Sequence, residues 1–240
     1  MNVVIPMAGL GSRFAKAGFL KPKPFIDVLG KIMIERVLEN LAIKNANYIL
    51  IARKEHLEQE ASAVESLKAK FNAKFIGIDK LTEGTACTIL HARKLINNDE
   101  PLLIANSDQI VDIKIDDFVN DCFERGLDGS ILTFKDEEKN SKWSFVRLEN
   151  ELVAEVKEKE VISEFASVGI YLFSRGKIFV DAGIDMIVAN DRVNNEFYTA
   201  VAYNYAIKDG FKIGSFNIAQ SKMHGLGTPQ DLKIYENLKS

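Results

Sequence analysis

The chain has 240 residues, 47% of them hydrophobic and 27% charged, with a formal net charge of −3. This is the composition of an ordinary folded protein, and its slight acidity argues against a nucleic-acid-binding surface. Cys87 and Cys122 lie far apart, so neither a disulfide framework nor a Cys-x-x-Cys zinc site is predicted. No apolar run reaches the roughly twenty residues that span a bilayer, and the first residues form no basic leader. We therefore expect a cytoplasmic protein whose partners include neither a membrane nor a nucleic acid.

The first half of the chain alternates short apolar runs with amphipathic segments. The apolar runs predict strands at residues 3–5, 48–52, 74–78 and 102–105, and the amphipathic segments predict helices at 32–44, 56–70 and 85–95. Alternation of this kind indicates parallel strands joined by right-handed crossovers. Ligands of such sheets bind outside the carboxyl ends of the strands. The loops after the first and fourth strands are therefore expected to border one crevice.

The second half has shorter strands, at residues 129–134, 142–146, 152–156, 167–173 and 211–216. Helices are predicted at 176–189 and 196–208, and a closing helix begins at Pro229 with Thr228 as its N-cap. No repeat or linker interrupts the chain. We predict one domain over residues 1–240, with a Rossmann-like, doubly wound, three-layer α/β/α fold and a mixed, mainly parallel sheet.

The loop after the first strand is suited to holding a triphosphate. It consists of Met7, Ala8, Gly9, Leu10, Gly11 and Ser12, two of them glycines, and Arg13 follows at once. Glycines allow positive φ and let backbone N–H groups approach an anion. Lys23 lies between two prolines that restrict its local backbone. Backbone donors and two positioned cations together match the oxygens of a triphosphate.

Three other interpretations of this loop are weaker. The dinucleotide fingerprint requires a third glycine, but Phe14 stands in its place. The Walker loop requires Gly-Lys-Ser/Thr, which is absent from this stretch. An ordinary strand-to-helix turn with surface cations remains an alternative, and the Lys-Pro-Lys-Pro at residues 21–24 argues against it.

The glycine loop together with Pro-Lys-Pro-Phe at residues 22–25 resembles the signature of nucleotidyltransferases that activate phosphorylated sugars and alcohols with a nucleoside triphosphate. The resemblance implies that the loop wraps the triphosphate and that Arg13 and Lys23 neutralise charge at the reacting phosphate. Asp108, in Ala-Asn-Ser-Asp-Gln, resembles the family's metal aspartate, with Ser107 beside the nucleotide. A carboxylate just past a buried strand is a suitable ligand for Mg²⁺, for which Mn²⁺ may substitute. A turn aspartate is the plainer alternative.

The base is expected to lie near residues 79–86. Gly84, Thr85 and Ala86 resemble the family's Gly-Thr-Ala turn, whose backbone contacts the base. Five residues before that glycine, where relatives often place a glutamine, this chain has Asp79. A carboxylate only accepts hydrogen bonds, whereas cytosine offers an N4 amino donor and uracil offers an O4 acceptor. Asp79 therefore favours CTP, although adenine also has an amino group and Asp79 could be a solvated loop residue.

The second half carries the residues that the resemblance assigns to the acceptor. They are Glu158, Lys159, Gly169, Glu196 and His224. Plainer alternatives are a charged hairpin face for the Glu-Lys pair, a helix cap for Glu196 and a surface histidine for His224. The chain departs from the family at Glu160, which replaces a proline, and at Gly225, which replaces the second metal aspartate. The metal is then expected to rely on Asp108, phosphates and water.

The resemblance implies nucleotidyl transfer to a phosphorylated small molecule with release of pyrophosphate. Residues 1–112 are expected mainly to bind the nucleotide and residues 113–240 mainly the acceptor. The chain looks especially similar to CTP-dependent cytidylyltransferases of bacterial capsule synthesis that act on phosphoglutamine and feed a phosphoramidate decoration. A sugar-1-phosphate or phosphocholine acceptor, a non-catalytic nucleotide-binding regulator and a Rossmann-type oxidoreductase are the alternatives. A homo-oligomer is compatible with the sequence.

Overall fold

The computed structural model describes residues 1–239. The first half contains, in chain order, β1 (Asn2–Pro6), α1 (Ser12–Lys16), β2 (Asp27–Val28), β3 (Lys31–Ile32), α2 (Met33–Asn40), β4 (Asn47–Arg53), α3 (Lys54–Gln59), α4 (Ala61–Phe71), β5 (Lys74–Ile78), α5 (Thr85–Leu90), α6 (Arg93–Ile96), β6 (Leu102–Ala105) and β7 (Gln109–Val111). A short 3-10 turn at Lys23–Phe25 lies between α1 and β2.

The second half contains α7 (Ile115–Glu124), β8 (Gly129–Lys135), β9 (Ser144–Glu149), β10 (Leu152–Glu158), β11 (Phe165–Phe173), α8 (Gly176–Val188), α9 (Ala202–Lys208), β12 (Ile213–Ile218), β13 (Met223–Gly225) and α10 (Pro229–Lys239). Thr228 caps α10, because its hydroxyl accepts a hydrogen bond from the Asp231 N–H at 3.1 Å. Among residues 1–239, no helix is long and apolar enough to cross a membrane.

Nine strands form one mixed sheet in the order β5-β4-β1-β6-β11-β8-β12-β10-β9. The first-half strands β5, β4, β1 and β6 are parallel, as their alternation with helices predicts. In the second half, β11 runs antiparallel between β6 and β8, while β12 is parallel to β8. The predicted α/β fold is therefore confirmed, with its parallel strands concentrated in the first half.

Helices cover both faces of the sheet. Val3 and Ile5 of β1 pack into one core with residues of α2, α4 and α7. Val4, which points to the opposite face, packs into a second core with residues of α5, α8 and α9. Successive residues of a strand point to opposite faces, so the apolar run of β1 is buried on both sides. This is the expected three-layer arrangement.

Some predicted helices are interrupted. The segment predicted as one helix over 56–70 forms α3 and α4, because Glu60 leaves the helical region at φ −110° and ψ 31°. The segment 85–95 similarly forms α5 and α6. Residues 196–198 were predicted to begin a helix, but they are not helical, since the Phe197 backbone bonds to Glu83 and Ala86. A 3-10 turn at Thr199–Val201 then leads into α9.

The sheet order brings distant loops together at one edge. Strands β1 and β6 are parallel neighbours, so the glycine loop and residues 106–108 leave the sheet side by side. Strand β11 enters from the opposite direction, and the Asn106 N–H donates to the Gly169 carbonyl at 2.9 Å. A small ribbon, in which β13 pairs antiparallel with β7, places residues 225–227 beside Asp108. The sequence did not predict this ribbon, because three-residue strands carry too little periodicity.

Candidate active site

A cleft of about 560 Å³ opens at this edge of the sheet. Its lining includes most of the residues predicted to bind ligands: Met7, Gly9, Gly11, Ser12, Arg13, Lys23, Thr85, Ser107, Asp108, Glu158, Lys159, Gly169 and Glu196. The predicted nucleotide and acceptor residues thus face the same space, although they come from opposite halves of the chain. Their roles remain predictions.

The glycine loop is shaped by a close approach to the lysine segment. Gly11 has φ +59°, and a Cβ added there would lie 3.1 Å from the Cβ of Lys23. A side chain would therefore be both strained and crowded at this position. Ser12 begins α1, whose Phe14 is buried and packs edge-on against Phe19 at 5.2 Å. This anchor holds the loop in place while Arg13 stays exposed on the cleft.

Lys23 and Asp108 form a direct ion pair inside the cleft. Their side chains are 19% and 20% exposed, so the pair is largely sheltered from water. Lys23 comes from the turn after α1, and Asp108 follows β6, so 85 residues of sequence separate the two. The charges offset each other here, and phosphate oxygens would offer the ammonium group an alternative partner.

The residues around Asp108 fit a hard divalent cation held by few protein ligands. Among residues 1–239, no group of three or more His, Cys, Asp or Glu side chains is arranged to hold a metal. Position 225 is glycine, and a Cβ added at Gly227 would lie 3.1 Å from Asp108 Oδ2. The adjacent Gln109 has a buried side-chain oxygen with no hydrogen-bond partner in the described chain. Mg²⁺ accepts one or two protein oxygens when phosphates and water complete its shell.

The turn at residues 84–86 is bonded to the segment at residues 197–199, which also borders the cleft. The Ala86 N–H donates to the Phe197 carbonyl at 3.0 Å, and the Phe197 N–H donates to the Glu83 carbonyl at 2.8 Å. Thr85 Oγ1 accepts from the Thr199 N–H at 3.2 Å. Gly84 has φ +108°, and a Cβ there would lie 2.4 Å from the Phe197 carbonyl oxygen. Of the predicted backbone contacts to the base, the Ala86 N–H is therefore already engaged within the protein.

Some predicted ligand residues are not part of the cleft lining. Ala8, Leu10, Gly84 and Ala86 lie in segments that border it. Asp79 has a side chain that is 73% exposed and forms an ion pair with Lys54 at 2.8 Å. The structure therefore does not bring Asp79 into the described cleft, and its role in reading the base remains a prediction.

His224 lies away from the cleft, in a separate depression beside α10. Its Nε2 hydrogen-bonds to Asp112 at 2.7 Å, and its ring packs against Tyr235 at 5.6 Å between centroids. Burial alone would raise the pKa of Asp112, but the hydrogen bonds from His224 and Lys239 outweigh burial and hold that pKa below its ordinary value. The contacts of His224 are thus structural, and the structure does not place it with the other predicted acceptor residues.

Glu158 and Lys159, from the second half of the chain, also line the cleft. Glu158 is buried and accepts a hydrogen bond from the Ser144 hydroxyl. Burial raises the pKa of Glu158, partly offset by Ser144 and Lys159, and the carboxylate of Glu196 raises it further. Lys159 donates to the Tyr198 hydroxyl at 2.5 Å. Burial and Glu196 also raise the pKa of Tyr198, so that phenol stays protonated at neutral pH.

Several lining residues escaped the sequence analysis: Asn106, Lys142, Trp143, Ser144, Tyr171 and Tyr198. Gly169 has φ +89°, and a Cβ there would be 2.1 Å from Asn106 Nδ2, so both the backbone conformation and the space at this position require a glycine. Trp143 is the only tryptophan of the chain and lies next to a lysine between two strands. A single tryptophan in a polar segment was the sequence feature that could have indicated this part of the cleft.

Two solved structures show how widely this fold is shared. A nucleoside-diphosphate-sugar pyrophosphorylase from Vibrio cholerae RC9 superimposes with a TM-score of 0.82 at 24% identity, covering 98% of this chain and 99% of that one. An inositol-1-phosphate CTP transferase from T. maritima superimposes with a TM-score of 0.75 at 12% identity, covering 99% and 94%. At these identities the likeness establishes the fold, which is of the nucleotidyltransferase type.

The family follows from the sequence match. A family model described as Nucleotidyl transferase matches residues 2–221, so this chain belongs to the nucleotidyl transferase family. Mannose-1-phosphate guanylyltransferase catalytic subunits beta from Danio rerio and Dictyostelium discoideum are 30% and 28% identical to it, each over 72% of this chain and 50% of the relative. The chain spans about half the length of these curated relatives. The family resemblance seen in the glycine loop is therefore confirmed.

Proposed function

We propose that this chain transfers a nucleotidyl group from a nucleoside triphosphate, CTP, to a phosphorylated small molecule and releases pyrophosphate. The acceptor proposed is phosphoglutamine, in the synthesis of a capsular phosphoramidate. One observation carries the proposal: the glycine loop, Arg13 and the Lys23–Asp108 pair share a single cleft with Glu158 and Lys159. Both anionic substrates can therefore meet in one cleft.

The reaction needs no nucleophile from the protein. An oxygen of the acceptor phosphate attacks the α-phosphorus of the triphosphate and forms a new P–O bond. The bond from the α-phosphorus to the bridging oxygen breaks, and pyrophosphate leaves with that electron pair. The main tasks of the protein are to align two anions that repel each other and to neutralise the charge that develops.

Each cation has a defined part in this reaction. The glycine loop donates backbone N–H groups to the triphosphate, while Arg13 and Lys23 bind oxygens around the α-phosphorus. Lys23 exchanges its bond with Asp108 for phosphate oxygens, which leaves the carboxylate free for a divalent cation. When bound, Mg²⁺ or Mn²⁺ supplies neutralising charge to the phosphate oxygens. Asp108 is the residue that would hold it.

The acceptor end of the cleft carries charge of both signs, which supports a phosphorylated amino acid. Glu158 and Glu196 lie close enough for one to raise the pKa of the other, so an ammonium group between them would relieve that repulsion. Lys142 and Lys159 offer positive charge to a carboxylate. Sugar hydroxyls would only hydrogen-bond to these groups, whereas the ammonium and carboxylate of glutamine would neutralise charge of both signs.

Asp79 supports the choice of CTP over UTP, since a carboxylate can accept from an exocyclic amine but not from O4. Guanine also presents amino and N1–H donors, and the relatives are named as guanylyltransferases acting on mannose-1-phosphate. Transfer from GTP to mannose-1-phosphate is therefore the second candidate function. Lys54 pairs with Asp79, so base binding would require Asp79 to exchange that partner.

The test is a screen for pyrophosphate release. CTP, GTP, UTP and ATP are each offered with phosphoglutamine, phosphocholine, mannose-1-phosphate and glucose-1-phosphate in the presence of Mg²⁺. The proposal expects the largest kcat/KM for CTP with phosphoglutamine. Dominance of GTP with mannose-1-phosphate would favour the second candidate. Nucleotide binding without pyrophosphate release from any pair would instead identify a non-catalytic nucleotide-binding protein.

A further inference from the structure

We propose that the side-chain carbonyl oxygen of Gln109 is a second protein ligand of the divalent cation at Asp108. It replaces the carboxylate that the family resemblance leads one to expect at position 225. This inference rests on the proposed function, because it presupposes a metal at Asp108. It assigns to a neutral amide the position that a second aspartate would otherwise fill.

The ribbon between β7 and β13 sets the geometry. Gln109 is the first residue of β7 and pairs directly with Gly225 of β13. Side chains of directly paired residues lie on the same face of an antiparallel ribbon. A Cβ added at Gly225 would lie 3.9 Å from Gln109 Oε1, so the amide oxygen occupies the space above this glycine. Asp108 Oδ2 lies beside Gly227, two residues further along the same segment.

The amide oxygen of Gln109 needs a partner that the described chain does not supply. Gln109 is 7% exposed, and its Oε1 is buried with no hydrogen bond to any of residues 1–239. An unpaired buried carbonyl is unfavourable, so natural proteins rarely keep one without a reason. Gln109 also lines the same cleft as Asp108.

The chemistry of the two oxygens suits a hard cation. Amide carbonyl and carboxylate oxygens both ligate Mg²⁺ and Mn²⁺. The pair Asp108 and Gln109 supplies one negative charge, whereas two aspartates would supply two. The protein alone should therefore hold the metal weakly, and triphosphate oxygens should strengthen the binding. Replacing the amide by a carboxylate should strengthen it without a nucleotide.

The experiment is a titration with Mn²⁺ followed by electron paramagnetic resonance, without nucleotide and again with CTP. Wild type, Gln109→Leu, Gln109→Glu and Asp108→Asn are compared, with thermal unfolding as the check that each is folded. Removing a metal-site partner typically weakens affinity by about tenfold or more, so Gln109→Leu should raise the Kd for Mn²⁺ by that factor. Gln109→Glu, which keeps the length of the side chain, should lower the Kd by a similar factor.

A rescue variant sharpens the test. Gly225 has room for a Cβ, so Gly225→Asp in the Gln109→Leu background should restore Mn²⁺ affinity. The inference is overturned if Gln109→Leu binds Mn²⁺ like wild type while Asp108→Asn does not. If Gln109→Leu fails to fold, an unchanged Kd in Gln109→Glu overturns it instead. The titration requires no turnover, so a chain that binds Mn²⁺ through Gln109 but releases no pyrophosphate would contradict the proposed function alone.

Discussion

Lys23 is the residue on which the proposed chemistry depends most. It lines the cleft, where Asp108 is its partner in the structure. If Lys23 neutralises the reacting phosphate, Lys23→Ala should lower kcat/KM by about a hundredfold or more, comparable to the loss of one electrostatic donor. Lys21→Ala is the matched control, because Lys21 lies two residues earlier in the same connection between α1 and β2 but is more exposed and paired with Glu60 instead. Equal activity in both variants would refute the mechanism.

Substitution of Asp79 tests how the protein selects the base of the nucleotide. If the bound base shields Asp79 from water, an acceptor facing O4 of uracil leaves two unpaired polar groups at a cost of about 1–3 kcal/mol, so CTP should be preferred over UTP by roughly ten- to a hundredfold. Asp79→Asn adds a donor and should lose much of this preference. Lys54→Met, which removes only the partner of the carboxylate, should keep it. The measurement is kcat/KM for both nucleotides with one acceptor, and an unchanged ratio in Asp79→Asn would mean that the backbone alone reads the base.

The raised pKa of Glu158 leads us to expect that acceptor binding depends on pH. Burial raises its pKa above the ordinary value of 4.5, so the ionised form that binds an ammonium group appears only at higher pH. The KM for phosphoglutamine should therefore fall as pH rises through this raised pKa, and the fall should be smaller in Glu158→Gln. The acceptor phosphate titrates near pH 6 in both proteins, so their difference isolates Glu158. Parallel profiles would exclude Glu158 as the ammonium contact.

At the scale of elements, the loops of residues 83–86 and 196–199 behave as one unit. Backbone hydrogen bonds join Glu83 and Ala86 to Phe197, and Phe197 is flanked by Glu196 and Tyr198. A displacement of the turn before α5 would therefore move residues at the proposed acceptor end of the cleft. This contact also explains why the chain at 196–198 does not continue the helical pattern of its sequence.

The substitution Gly84→Ala tests whether these two loops are coupled. Both Gly84 and Gly210 have positive φ, but only at Gly84 would a Cβ meet another backbone segment. Gly210→Ala should cost about 1–2 kcal/mol for its backbone conformation, and Gly84→Ala should cost more because the Phe197 carbonyl must also move. Gly84→Ala should in addition raise the KM for the acceptor. Thermal unfolding and acceptor KM are the measurements, and equal losses in the two variants would show that the loops are not coupled.

For the whole molecule, ligand binding should increase the free energy of unfolding. A ligand at a hundred times its Kd adds about 2.7 kcal/mol to the free energy of unfolding. In a domain of this size each kcal/mol raises Tm by about 2–4 °C, so CTP with Mg²⁺ should raise it by on the order of 5–10 °C. EDTA should remove much of that increase, and Asp108→Asn should require more metal to reach it. A Tm that is indifferent to CTP and Mg²⁺ together would argue against this nucleotide site.

Local patterns predicted much of the architecture. The strands at residues 74–78 and 102–105 were predicted with their observed bounds, because a compact apolar run in each is flanked by polar turn residues. The glycine loop was recognisable for the same reason, since its small residues follow a buried strand directly. Asp108 could be expected beside this loop, because parallel strands end at the same edge of a sheet. The breaks between α3 and α4 and between α5 and α6 were not predictable, since helical periodicity continues across them.

The sequence by itself determined the α/β class, the glycine loop and its cations, because apolar periodicity and turn chemistry act within a few residues. Only the tertiary structure decided which distant segments meet. The pairing of Gln109 with Gly225 and of Phe197 with Ala86 joins residues about a hundred positions apart. It depends on the position of β11 between β6 and β8 and on the small ribbon beside them. Such contacts result from packing whole elements into one sheet, so the propensities of neighbouring residues cannot predict them.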